Sequence, residues 1–163
     1  MEKKKDNKRI PINQLAIDGL LTAMLVITGM IKLPSVIPGT EFQISAPFAI
    51  CIVSLVGFKR YLCIGVISSV IQLLLGTHTI INVCVAMVFR IVAGLIVEKC
   101  KKKPVVIAAG PIGTAAARVV LSFILNVPAW TLIAASIPGM VFTAVCVAIV
   151  LPILKRVLKN KKI

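Results

Sequence analysis

The sequence predicts an all-α integral membrane protein, a six-transmembrane-helix bundle with both termini cytoplasmic. Three observations carry that prediction. Of the 163 residues, 59% are hydrophobic and the mean hydropathy is +1.05, well above the roughly 45–50% apolar content of globular domains. Sixteen of the 19 Lys and Arg residues fall into four blocks: Lys3, Lys4, Lys5, Lys8 and Arg9, then Lys59 and Arg60, then Lys99, Lys101, Lys102 and Lys103, then Lys155, Arg156, Lys159, Lys161 and Lys162. Loops on the cytoplasmic side of membrane proteins are enriched in these residues. Finally, each gap between blocks leaves room for two spans of about 20 residues, so the chain leaves and returns three times. Residues 1–12 then form a basic tail, 13–154 the membrane domain and 155–163 a second basic tail.

The first helix is expected over 13–31. It follows a basic start, but the apolar stretch is long for a signal peptide and no A-x-A-like cleavage site follows, so it reads as a retained helix. Lys32, Leu33 and Pro34 stop it, and an outer segment over 35–43 turns at Pro38-Gly39. A short second helix over 44–58 tolerates Pro47 in its first turn. Lys59-Arg60 reads as a tight inner turn, and the third helix over 61–75 ends at Gly76. The fourth covers 79–97 and the fifth 104–125, where Gly110-Pro111 predicts a kink or a break. After the Asn126-Val127-Pro128 turn, the sixth covers 129–154, with Pro138-Gly139 as a second kink.

Composition also excludes function classes. The formal charge of +14 is dispersed in juxtamembrane blocks with few aromatics between them, which fits an anionic inner leaflet and not nucleic acid. No G-x-x-x-x-G-K-[ST] motif is present, so nucleotide hydrolysis is not built in. The cysteines Cys51, Cys63, Cys84, Cys100 and Cys146 are scattered and there is one histidine, so no metal or other cofactor is expected. No nucleophile–base set shares a depth, which argues against an enzyme.

Polar residues in an apolar chain are expensive, so the few present are candidates for function. Asp18 lies about 8 Å into the first helix and Arg90 about 12 Å from the cytoplasmic end of the fourth. Their similar depths predict a structural Asp18–Arg90 ion pair. Arg118 lies about 12 Å below the outer surface with no acid at its level. Either Glu41 folds in to meet it or an anionic ligand group does. Gln43, Gln72, His78 and Asn82 collect in the same outer half. Thr79, Asn82, Ala86 and Arg90 share one face of the fourth helix. Trp130 is either an interfacial anchor or a stacking platform. Together Glu41, Gln43, Gln72, His78, Asn82, Arg118 and Trp130 predict a small-molecule pocket open to the outside. On the first helix, Ala16, Gly19 and Ala23 line a small-residue face that lets another helix approach closely.

The chain resembles the substrate-binding S components of energy-coupling factor transporters in length, in its six helices with both ends inside, and in the basic start running into helix one. The face at Ala16, Gly19 and Ala23 is similar to the alanine-rich face by which those proteins dock on their membrane partner. The run from Pro38 to Pro47 looks like their segment between helices one and two. The small tryptophan-transporter family is similar in size and layout. The resemblance implies a bacterial cell-membrane protein that captures a vitamin or metabolite and works with a transmembrane coupling protein and two ATPase subunits. Glu41 and Gln43 would then lie on a gating segment, His78 and Asn82 on the pocket wall, and Arg118 would receive an anionic group. The alternatives are a membrane assembly or regulatory protein and an autonomous secondary transporter, for an amino acid for example.

Overall fold

The computed structural model describes residues 11–33 and 42–160. Among these residues six helices run in chain order, α1 Ile12–Met30, α2 Ser45–Val56, α3 Phe58–Leu74, α4 Ile80–Lys99, α5 Lys103–Leu125 and α6 Ala129–Asn160. Four of them, α1, α4, α5 and α6, are long and apolar enough to cross a membrane. The protein is thus a helical membrane protein, as its hydropathy predicts. The only strands among the described residues form a two-rung antiparallel ladder, β1 Lys32–Leu33 against β2 Phe42–Gln43.

Where the elements differ from expectation, the cause is local. The turn between α2 and α3 is made by Gly57 at φ 84, a left-handed conformation that glycine adopts without Cβ strain. Lys59 and Arg60 therefore sit inside the first turn of α3 and do not form the turn themselves. Pro111 leaves α5 unbroken, and Pro138 and Pro152 leave α6 unbroken, because neighbouring helices hold the segment where one backbone bond is missing. α6 also continues to Asn160, so Lys155 and Arg156 extend the last helix where a tail was expected. Basic residues there suit the negative end of the helix dipole.

The helices alternate in direction, which gathers Lys59, Arg60, Lys99, Lys101, Lys102, Lys103, Lys155 and Arg156 at one end of the bundle, called here the basic end. The packed core sits in that half. Its centre is α2, where Ala49, Ile50, Cys51, Ile52 and Val53 are all buried. α2 packs against each of the other five helices, which is what a short helix apolar on every side must do. Around it lie Tyr61, Ile64, Ala93, Val97, Val106, Ala109, Val147 and Leu151. Glycine permits the close approaches: a Cβ on Gly94 would lie 2.5 Å from the Phe58 ring, and one on Gly110 2.6 Å from Thr143 Cγ2. Several hydroxyls are satisfied within their own helices: Thr22 Oγ1 donates to Asp18 O at 2.7 Å and Ser54 Oγ to Ile50 O at 2.9 Å. The outer surface is lined by large apolar side chains, including Ile137, Val141, Val145 and Ile149 along α6, the surface lipid requires.

Candidate functional site

The other half of the bundle is hollow. A cavity of about 450 Å³ is walled by residues from all six helices, within the range of small-molecule sites. Its α4 wall carries Thr79, Asn82, Ala86 and Arg90, the four positions that helical spacing places on one face. The α5 wall presents Thr114, Arg118 and Leu121, again one helix face. Leu25, Ala49, Ala117 and the rings of Phe89 and Phe142 supply apolar surface. Gln72 and His78 close the α3 side.

Gln72 is buried and donates from Nε2 to Val26 O at 3.2 Å, so one cavity residue also ties α3 to α1. Its carbonyl caps the end of α3, accepting from the Thr77 N–H at 3.1 Å and the His78 N–H at 3.3 Å. Gly29 leaves the space its amide fills. Thr79 caps α4 by accepting from the Asn82 N–H at 3.3 Å, which fixes the helix start and so the direction of the Asn82 face.

Arg90 does not pair with Asp18. α1 and α4 both pack on α3, which stands between them, so equal depth does not make the two residues neighbours. Asp18 instead receives Arg60 at 2.6 Å from Nη2 and 3.2 Å from Nε. Arg90, only 6% exposed, turns its guanidinium onto α3. Nη1 donates to Gly65 O at 2.7 Å and to Ser69 Oγ, and Nη2 to Ser68 Oγ at 3.2 Å. Ser68 in turn donates to Gly65 O at 2.9 Å. These acceptors are neutral, so the Arg90 charge stands at the cavity wall without a counter-ion among the described residues.

Arg118 has no hydrogen bond or ion pair among the described residues, although it is partly buried. The hydroxyl hydrogens of Thr114, Ser136 and Thr143 are committed to their own helices, at Gly110 O, Ile133 O and Gly139 O. What they offer the cavity is oxygen lone pairs. The arrangement can hold a molecule with an anionic group against guanidinium, an apolar body, and N–H or O–H donors toward α5 and α6.

Of the residues singled out from sequence, Gln72, His78, Asn82 and Arg118 come together on this wall. Trp130 does not line the cavity and is 72% exposed, the position of an interfacial ring. Glu41 lies outside the described residues. Gln43 is placed only through β2, opposite Lys32, and its side chain is outside the described set. Ala16, Gly19 and Ala23 are all exposed on α1. Thr114, Ser136, Thr143, Phe89 and Phe142 were missed. The signal was available in the spacing 135, 136, 139, 142 and 143 on α6 and 114, 117, 118 and 121 on α5, since each set is one helix face.

No family model matches the chain. It is 46% identical over 150 residues to Protein BioX of Lysinibacillus sphaericus, an alignment covering 91% of this chain and 89% of that protein.

Proposed function

The chain belongs to the family of Protein BioX, and from that premise we propose that it is the substrate-capture subunit of an energy-coupling factor importer. Its substrate is a small carboxylate-bearing vitamin or metabolite taken from outside the cell. The observation that carries this reading is the cavity, walled by all six helices and backed by the packed core of the basic half, with Arg118 on its wall.

In this reading all six helices cross the bacterial cell membrane and both termini are cytoplasmic. At about 18 Å, α2 is shorter than a bilayer core of about 30 Å. A segment enclosed by protein has no need to match lipid thickness. The cavity faces outward, with Glu41 and Gln43 on the segment that covers it. Arg118 receives the substrate carboxylate, and Gln72, His78 and Asn82 orient the rest.

The sequence contains no G-x-x-x-x-G-K-[ST] motif, and in this reading ATP hydrolysis belongs to partners, a transmembrane coupling protein and two ATPase subunits. The exposed α1 face at Ala16, Gly19 and Ala23 is where the coupling protein docks. A Cβ on Gly19 would meet nothing within 4 Å, which supports a face left open for another helix.

The test is uptake of carboxylate-bearing vitamins, biotin among them, into vesicles holding this chain alone or with the coupling protein and ATPase subunits. Uptake is expected only with the partners and ATP. Uptake by the chain alone would make it a secondary transporter. No uptake with any partner, and variants that are merely less stable, would leave an assembly role.

A further inference from the structure

We propose that the captured molecule is a dianion, with two anionic groups joined by an apolar spacer, held by Arg90 and Arg118 together. This rests on the capture reading and narrows it.

Charge balance at the cavity wall points to two anionic groups. Both guanidiniums line the same cavity, and none of its described lining residues carries a carboxylate. Asp18, on α1, is bound to Arg60. Among the described residues the cavity wall therefore holds two like charges and no acid, in surroundings where charge is costly. Neutral acceptors on α3 satisfy part of the Arg90 hydrogen-bonding capacity but none of its charge. Arg118 donates to no described residue at all. A monoanion would leave one of the two charges uncompensated, whereas a dianion balances both.

The two anchors are separated in depth. A Cβ on Gly113 would lie 3.0 Å from Ala93 Cβ and 3.1 Å from Phe89 Cδ2, which sets Gly113 of α5 level with the turn of α4 that holds Arg90. Arg118 lies five residues further along α5, so its backbone stands roughly 7.5 Å nearer the open end than Gly113. Ala117, Phe89 and Leu121 provide apolar surface nearby. The two charges thus belong at opposite ends of the ligand, and an apolar middle suits the wall between them.

The experiment titrates the full-length, detergent-purified chain with straight-chain dicarboxylates of graded length, with monocarboxylates of matched length, and with the monoamide of the best dicarboxylate. At the best length the dicarboxylate is expected to bind about tenfold to a hundredfold tighter than either singly charged form, the range for one further hydrogen bond to a charged group. In Arg118→Gln that preference should vanish. Arg90→Gln should abolish it too. If that variant fails to fold, the monoamide comparison on the parent still decides. Equal affinity of singly and doubly charged forms at every length would overturn the proposal and leave the capture reading standing. Binding of no anion of either kind would overturn the dianion proposal, and the capture reading falls with it only if no carboxylate-bearing vitamin binds either.

Discussion

Gly65→Ala should injure the cavity from behind, by displacing Arg90 without replacing any residue that lines the cavity. A Cβ at Gly65 would lie 2.7 Å from Arg90 Cδ and 2.9 Å from Nε, while carbon atoms in contact sit about 3.5–4.0 Å apart. Arg90 must retreat by roughly 1 Å to reach that separation. The contact falls in the middle of the side chain, so the whole guanidinium moves. Its bond from Nη2 to Ser68 Oγ, already 3.2 Å, then passes beyond hydrogen-bonding range. Overpacking alone costs about 1–3 kcal/mol, and one lost bond from a charged donor about 1.5–3 kcal/mol. A destabilisation of about 3 kcal/mol is expected, read as a fall of roughly 6–12 °C in the melting temperature in detergent. Gly19→Ala is the control. Its Cβ meets nothing within 4 Å, and alanine is favoured over glycine in a helix interior by about 0.5–1 kcal/mol, so it should melt with the parent or slightly above it. If Gly65→Ala melts like Gly19→Ala, Arg90 is not seated on α3 as described.

Three further outcomes follow from the same geometry. Tyr61→Phe removes a buried hydroxyl that has no hydrogen-bond partner, so stability should hold or rise by about 1 kcal/mol, measured by thermal melting. Asp18→Asn weakens the link to Arg60, but the side chains are 34% and 24% exposed for Arg60 and Asp18. Its cost should stay below about 1 kcal/mol, and a larger loss would mean that the pair holds α1 on α3. Trp130→Ala should leave ligand affinity unchanged, because that ring does not line the cavity. A tenfold loss would place it on the substrate path.

The helices and the α4 face of the cavity wall were legible in the sequence because both depend on short-range pattern. Apolar length and the basic blocks locate the helices, and spacings of three or four place Thr79, Asn82, Ala86 and Arg90 on one face. The partner of Asp18 was not legible. Depth along a helix can be counted from sequence, but which helix lies beside which is decided by packing, and α3 separates α1 from α4. The turn at Gly57 was misplaced because two consecutive basic residues give a strong end-of-helix signal, whereas the φ of one glycine leaves none in composition. Of the two outcomes expected at Pro111, a break does not occur, and α6 likewise runs on through Pro138 and Pro152. The cost of these prolines is that of an isolated helix, and here neighbouring helices support the backbone.

The most direct test is a thermal-shift screen of the detergent-purified chain against vitamins, amino acids and other carboxylates, repeated on Arg118→Ala and Asn82→Ala. A carboxylate is expected to raise the melting temperature of the parent and to have no effect on Arg118→Ala, while both variants melt near the parent without ligand. Arg118 makes no described bond whose loss would unfold the chain, and its removal relieves an unpaired charge. A library that shifts nothing, with variants that simply melt earlier, would make the cavity wall interhelical glue and contradict solute capture.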